Sequence, residues 1–116
     1  MAKIMVVDNN KNLRYLYQKE LSYEGHEVTT VPSKEDALEA LDTTKFDLIV
    51  SELQYPFFAC SPNFSDFYTK DMNLKVIINT AYQTQPFRTW QKFVDAWITK
   101  SSDVEVLKRT IREVLN

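Results

Sequence analysis

The chain has 116 residues, a length that suits one domain (1–116), with 44% hydrophobic and 26% charged residues. The 14 Lys and Arg against 16 Asp and Glu give a formal charge of -2, which offers no broad basic surface for nucleic acid. No apolar run approaches the roughly 20 residues of a membrane span, and a single cysteine, Cys60, excludes an internal disulfide and a multi-cysteine metal site.

Met1-Ala2-Lys3 runs straight into a strand-like segment, without signal-peptide character. A reducing, cytoplasmic setting is therefore expected. Gly25 is the sole glycine. Phosphate-cradling loops need several glycines so that backbone N–H groups can approach the phosphate. Nucleotide hydrolysis and nicotinamide-linked redox chemistry are excluded on that ground. The same shortage counts against a small flavodoxin-type cofactor binder.

Lys3 to Val7 reads as a buried strand that stops at Asp8-Asn9-Asn10. From Lys11 to Glu24, Leu13, Leu16, Tyr17 and Leu21 recur at helical spacing, and Gly25 closes that helix. Glu27 to Val31 is a more amphipathic strand, expected near a sheet edge. Ser33 and Asp36 predict a capping-box start for a second helix bearing Ala37, Leu38 and Leu41. Phe46 to Leu53 holds a third strand centred on Leu48-Ile49-Val50.

The stretch from Gln54 to Asp71 is broken by Pro56 and Pro62, with a short helix expected around Phe64 to Lys70. Leu74 to Ile78 is a fourth strand, ending at Asn79-Thr80. A short fourth helix is expected around Pro86 to Phe93, since proline is tolerated in a first turn. Asp95 to Thr99 is a fifth strand, ending at Lys100. Ser102 and Glu105 suggest another capping box, and the last helix should bury Val104, Leu107, Ile111 and Val114 or Leu115. No linker or repeat interrupts this order.

Apolar strands alternating with helices indicate a parallel sheet covered on both faces. Right-handed crossovers then give an α/β, doubly wound, three-layer (βα)5 sandwich of the flavodoxin-like kind, with a five-stranded sheet. Ligands of such sheets bind beyond the carboxyl ends of the strands. Asp8 and Asn9, Glu52, Thr80 and Lys100 stand at those ends. Two carboxylates, an amide, a hydroxyl and an ammonium should therefore share one rim.

This constellation resembles the receiver domain of two-component response regulators, along essentially the whole chain. Val6-Val7-Asp8-Asn9-Asn10 resembles the acidic pair after strand one, and Tyr23 to Val28 the turn into strand two. Phe46 to Leu53 resembles the strand that ends in the phosphoacceptor aspartate, with Pro56 where the family keeps a proline. Ile77 to Tyr82 is similar to the strand with the switch hydroxyl, here Thr80. Asp95 to Lys100 is similar to the segment with the switch aromatic, here Trp97, and the family lysine.

Five departures bear on function. The phosphoacceptor position is Glu52, and the second acidic-pair position is Asn9. Ser101 stands where the family has proline after the lysine. The glycines expected in the loop after strand three and before strand five are absent, with Cys60 and Phe93 nearest those places. Mg²⁺ prefers oxygen ligands in strict octahedral geometry. Asp8 and Glu52 remain as its ligands, and Asn9 removes one charge, so weak or absent Mg²⁺ binding is expected and no cofactor is required.

Glu52 is one methylene longer than aspartate, which moves its carboxylate by about 1.5 Å. Since a misplacement near 1 Å can cost about 10²-fold in rate, efficient phosphorylation is not expected. The resemblance with these departures implies a non-enzymatic pseudo-receiver acting by protein–protein contact. The expected face joins the fourth helix, fifth strand and fifth helix, with Trp97, Trp90 and Phe87 on it. A histidine kinase and a second copy of the chain are the candidate partners; nucleic acid and membrane are not. The alternative is a working Mg²⁺-dependent phosphoacceptor that receives its phosphoryl group from a histidine kinase. Both a stand-alone regulator and a domain of a longer protein suit the length.

Plainer readings stand beside these. Asp8 or Asn9 could cap the first helix, Glu52 and Lys100 could be solvent-facing, Thr80 could be a satisfied strand-end hydroxyl, and Trp97 could be core. Lys108, Arg109 and Arg112 read as a solvated face. Tyr55, Phe57, Phe58, Phe64, Phe67 and Tyr68 form a dense aromatic group, part core and part surface. His26 and Cys60 should lie at opposite ends of the sheet, which argues against a nucleophilic pair.

Overall fold

The computed structural model describes residues 1–52, 65–81, 93–101 and 103–116. Five strands form one parallel sheet in the order β2-β1-β3-β4-β5. They are β1 (Lys3–Val7), β2 (Glu27–Val31), β3 (Leu48–Ser51), β4 (Lys75–Thr80) and β5 (Ala96–Thr99). The described helices are α1 (Lys11–Tyr23), α2 (Lys34–Thr43), α3 (Ser65–Lys70) and α4 (Glu105–Leu115). The doubly wound sandwich expected from the alternating pattern is present, and the amphipathic β2 does lie at a sheet edge.

Alternation along the strands builds two cores. Ile4, Val6, Leu48, Val50 and Ile77 face α1 and α4, meeting Tyr17, Leu21, Leu107 and Ile111. Met5, Val7, Ile49, Val76 and Ile78 face α2 and α3, meeting Ala37 and Phe67. Each of these strands is apolar on both faces because helices cover both.

Local signals explain most boundaries. Gly25 has φ +96° and its N–H donates to the Ser22 carbonyl at 3.0 Å, a left-handed stop after α1. The Ser33 hydroxyl accepts from the Asp36 N–H at 3.2 Å and caps α2. The cap of α1 is neither Asp8 nor Asn9. It is Asn10, whose side-chain oxygen accepts from the N–H groups of Asn12 and Leu13 at 2.9 and 3.1 Å. Asp8 is only 2% exposed and serves another purpose.

At α4 the N-cap is Val104, and Asp103 Oδ1 accepts from the Glu105 N–H at 3.0 Å. Ser102, the expected cap, lies outside the described residues. The basic cluster on α4 is not simply solvated. Lys108 Nζ pairs with Glu20 at 2.8 Å and Glu105 at 3.3 Å, and Arg112 pairs with Glu24 at 2.8 Å, which ties α4 to α1. Of the aromatic group, Phe67 is buried and Tyr68 lies edge-on to Phe93 at 5.4 Å between centroids. Tyr55, Phe57, Phe58, Phe64 and Cys60 lie outside the described residues, as does nearly all of the expected helix at Pro86 to Phe93, with Phe87 and Trp90.

Candidate functional site: the carboxyl rim of the sheet

The chain leaves β1 toward β2 on one side, then crosses to β3 on the other. The strand order therefore reverses between β1 and β3, and in open sheets of this kind ligands bind beyond the carboxyl ends at that switch. Val7 is in register with Ser51, so the next residues, Asp8 and Glu52, emerge side by side. The Glu52 N–H donates to the Val7 carbonyl at 2.9 Å, which extends the ladder one step and fixes their relative height. Thr80 is in register with Thr99, and the Lys100 N–H donates to the Thr80 carbonyl at 2.6 Å.

Lys100 starts two strands away from Glu52, a span of about 9.5 Å at ordinary strand spacing. Its long stem and the extra methylene of Glu52 close that gap. Lys100 Nζ lies 2.8 Å from Asp8 Oδ2 and 2.5 Å from Glu52 Oε1. The other carboxylate oxygens are held by backbone. Asp8 Oδ1 accepts from the Asn10 N–H at 2.9 Å, and Glu52 Oε2 from the Asn9 N–H at 3.3 Å.

Side-chain exposure is 15% for Lys100, 16% for Glu52 and 2% for Asp8. Burial alone would lower the Lys100 pKa, and it is the largest single influence on it. The paired hydrogen bonds and charges of Asp8 and Glu52 together outweigh burial and hold that pKa above its ordinary value. The lysine is therefore a fixed cation at neutral pH.

The remaining predicted residues lie as follows. Asn9 is exposed on the rim and meets Glu52 through its backbone N–H, not as a side-chain ligand shown in contact. Thr80 is fully buried at the end of β4. Trp97 is half-buried on β5 and packs on the α2/α3 side of the sheet. His26 sits at the opposite, amino edge, where Nδ1 accepts from the Ala2 N–H at 3.2 Å.

Two features escaped the sequence reading. Arg14 Nη1 donates to the Asp8 carbonyl at 2.6 Å and anchors the loop that presents Asp8. Its position one turn into α1 was the available signal. Asn79 Nδ2 donates to the Tyr17 hydroxyl at 3.1 Å, joining β4 to α1 just beneath the rim. Burial, the largest influence, raises the Tyr17 pKa and keeps the phenol neutral. A phenol at a core position of a helix needs a partner, and that rule could have prompted a search for one.

Chemically, the rim presents two carboxylates and one ammonium. A Mg²⁺ ion needs about six oxygens at about 2.1 Å. Among the described residues, no three His, Cys, Asp or Glu side chains converge. The two available carboxylates already share an ammonium. A divalent ion would have Asp8 and Glu52 as its carboxylate ligands among the described residues and would compete with the Lys100 ammonium for both.

The sequence matches the family model for the response regulator receiver domain over residues 4–112. It is 28% identical to the transcriptional regulatory protein GlrR of Escherichia coli K12 over 116 residues, covering 98% of this chain but 26% of that protein. The chain thus spans about a quarter of the length of the curated relatives it matches. The fold is similar to that of the response regulator TrrA of Thermotoga maritima, solved in complex with Mg(2+)-BeF. That match has a TM-score of 0.83 and 26% identity, and covers 99% of this chain and 100% of that one. TrrA in complex with the histidine kinase ThkA gives a TM-score of 0.82 at 27% identity, covering both chains fully. HP1043, an orphan response regulator of H. pylori, shares the fold at a TM-score of 0.83 with 18% identity, over 98% of this chain and 96% of that one. Strand order, the reversal between β1 and β3 and a match over nearly the whole sequence agree, and the chain belongs to the response regulator receiver domain family.

Proposed function

We propose that this receiver domain works without phosphorylation, as a cytoplasmic protein–protein interaction module of a two-component-type system. The observation that carries the reading is the engagement of Glu52. One of its oxygens is paired with Lys100 at 2.5 Å and the other accepts from the Asn9 N–H at 3.3 Å. A phosphoacceptor must present a carboxylate oxygen in line with the incoming phosphoryl group. Glu52 has neither oxygen without a donor, and its extra methylene changes the reach. A displacement near 1 Å is worth about 10²-fold in rate. The charge of Glu52 stands where a signal would otherwise be added, so the pocket is held in one arrangement.

On this reading the output surface is the face around β5. That strand is a sheet edge, its residues are half-buried or exposed, and Trp97 is among them. Val106 on α4 adds an exposed apolar side chain. Half-exposed tryptophan is the kind of anchor that protein interfaces use. A histidine kinase or a second copy of the chain is the proposed partner class. No helix among the described residues is long and apolar enough to cross a membrane.

The second reading is a Mg²⁺-dependent phosphoacceptor. The related TrrA, solved with Mg(2+)-BeF and also with a histidine kinase, is what favours it. Intact mass after incubation with a small phosphodonor separates the two. No added phosphoryl mass supports the first reading, and a Mg²⁺-dependent adduct refutes it.

A further inference from the structure

We infer that the Lys100 ammonium is the resident cation of the rim and keeps divalent cations out of it. The inference rests on the pocket reading above. All four carboxylate oxygens of Asp8 and Glu52 accept from a nitrogen of the chain itself: Asn10 N–H at 2.9 Å, Lys100 Nζ at 2.8 and 2.5 Å, and Asn9 N–H at 3.3 Å. A divalent ion shared by these carboxylates would occupy the same space as the ammonium and repel it. It would also have to strip donors from Asp8, which is only 2% exposed.

Charge points the same way. Two carboxylates and one ammonium sum to a single negative charge, and Asn9 adds none. Hard divalent ions gain affinity from ligand charge and number, and both are low here. A lysine bridging two carboxylates provides the positive charge that a metal would otherwise provide. The prediction is a rim indifferent to magnesium as long as Lys100 is charged and in place, and receptive once that charge is removed.

The test uses the full chain labelled with 15N and titrated with MnCl₂. The Asn9 and Asn10 amides report directly, since both donate to the pocket carboxylates. No selective paramagnetic broadening of these signals is expected at equimolar Mn²⁺. Selective broadening there overturns the inference. A second arm compares thermal midpoints in EDTA and in about 10 mM MgCl₂, where a ligand that binds only the folded state raises the midpoint.

The wild type should shift by less than about 1 °C, and Lys100→Met should gain about 3 °C or more. A folded Lys100→Met that gains nothing shows that Lys100 is not the excluding group. If that variant does not fold, the Mn²⁺ titration of the wild type still decides. A phosphoryl adduct formed without metal would refute the functional reading and leave this inference standing. Mn²⁺ broadening without any adduct would do the reverse.

Discussion

Replacing Lys100 with methionine keeps the unbranched stem of the side chain and removes its terminal ammonium. Two carboxylates are then left side by side, one of them 2% exposed and the other 16%. Breaking a buried pair costs about 3–5 kcal/mol, and an exposed pair is worth about 0–1 kcal/mol. Exposure of 15% at Lys100 puts this triad near the buried limit. The backbone donors at Asn10 and Asn9 stay in place and soften the loss. A destabilisation of about 2–3 kcal/mol is expected for Lys100→Met, read from equilibrium urea unfolding.

Glu52→Gln leaves Lys100 with Asp8 and should cost about 1 kcal/mol. The double-mutant cycle should return a coupling of about 1–2 kcal/mol between positions 52 and 100. The Lys100 pKa is raised from 10.5, so its contribution is fully present below that value. It is lost only as pH rises through the higher folded value, and the coupling should not change across the neutral range. A cost under about 0.5 kcal/mol for Lys100→Met, or a coupling near zero, refutes the claim that this triad organises the rim.

Three further perturbations probe the supports of the site. Tyr17→Phe strands the buried Asn79 amide and should cost about 1–3 kcal/mol in the same urea assay; a neutral result would mean that the amide finds another partner. Gly25→Ala forces a β-carbon into φ +96° and should cost about 1–2 kcal/mol, since the neighbouring Met1 Sδ at 3.4 Å can yield but the backbone strain cannot. His26, the sole histidine, has its pKa lowered from 6.5, chiefly by burial. The unfolded chain then binds the proton more readily, so stability should fall as pH drops through 6.5 toward the folded value, and His26→Gln should flatten that slope in urea midpoints measured from about pH 7.5 to about pH 5.5.

The architecture was legible because β1, β3 and β4 are apolar on both faces and because α1 and α2 each carry a clear end signal. Ser33 capping α2 and Gly25 ending α1 are local signals that local chemistry honours. The meeting of Asp8, Glu52 and Lys100 was legible for a different reason. Parallel topology places consecutive strand ends on one rim, so residues far apart in sequence are brought together without any local cue. Side-chain partnerships were harder to read. Nothing in the run Asp8-Asn9-Asn10 says which of three similar residues caps α1, and the structure chooses Asn10 because Asp8 is drawn inward to Lys100.

The α4 cations read as a solvated face because their partners Glu20 and Glu24 lie on another helix, where no periodicity within α4 could reveal them. Tyr17 looked like an ordinary core position. Its hydroxyl needed Asn79, a strand-end residue whose importance depends on the packing of α1 over β4.

The central claim is that the rim is held by Glu52 and Lys100 without a phosphoryl signal. Intact-protein mass spectrometry after incubation with a small-molecule phosphodonor, with and without Mg²⁺, tests it most directly. An unchanged mass is expected in both conditions. A stoichiometric, Mg²⁺-dependent phosphoryl adduct mapping to Glu52 or Asp8 would contradict it.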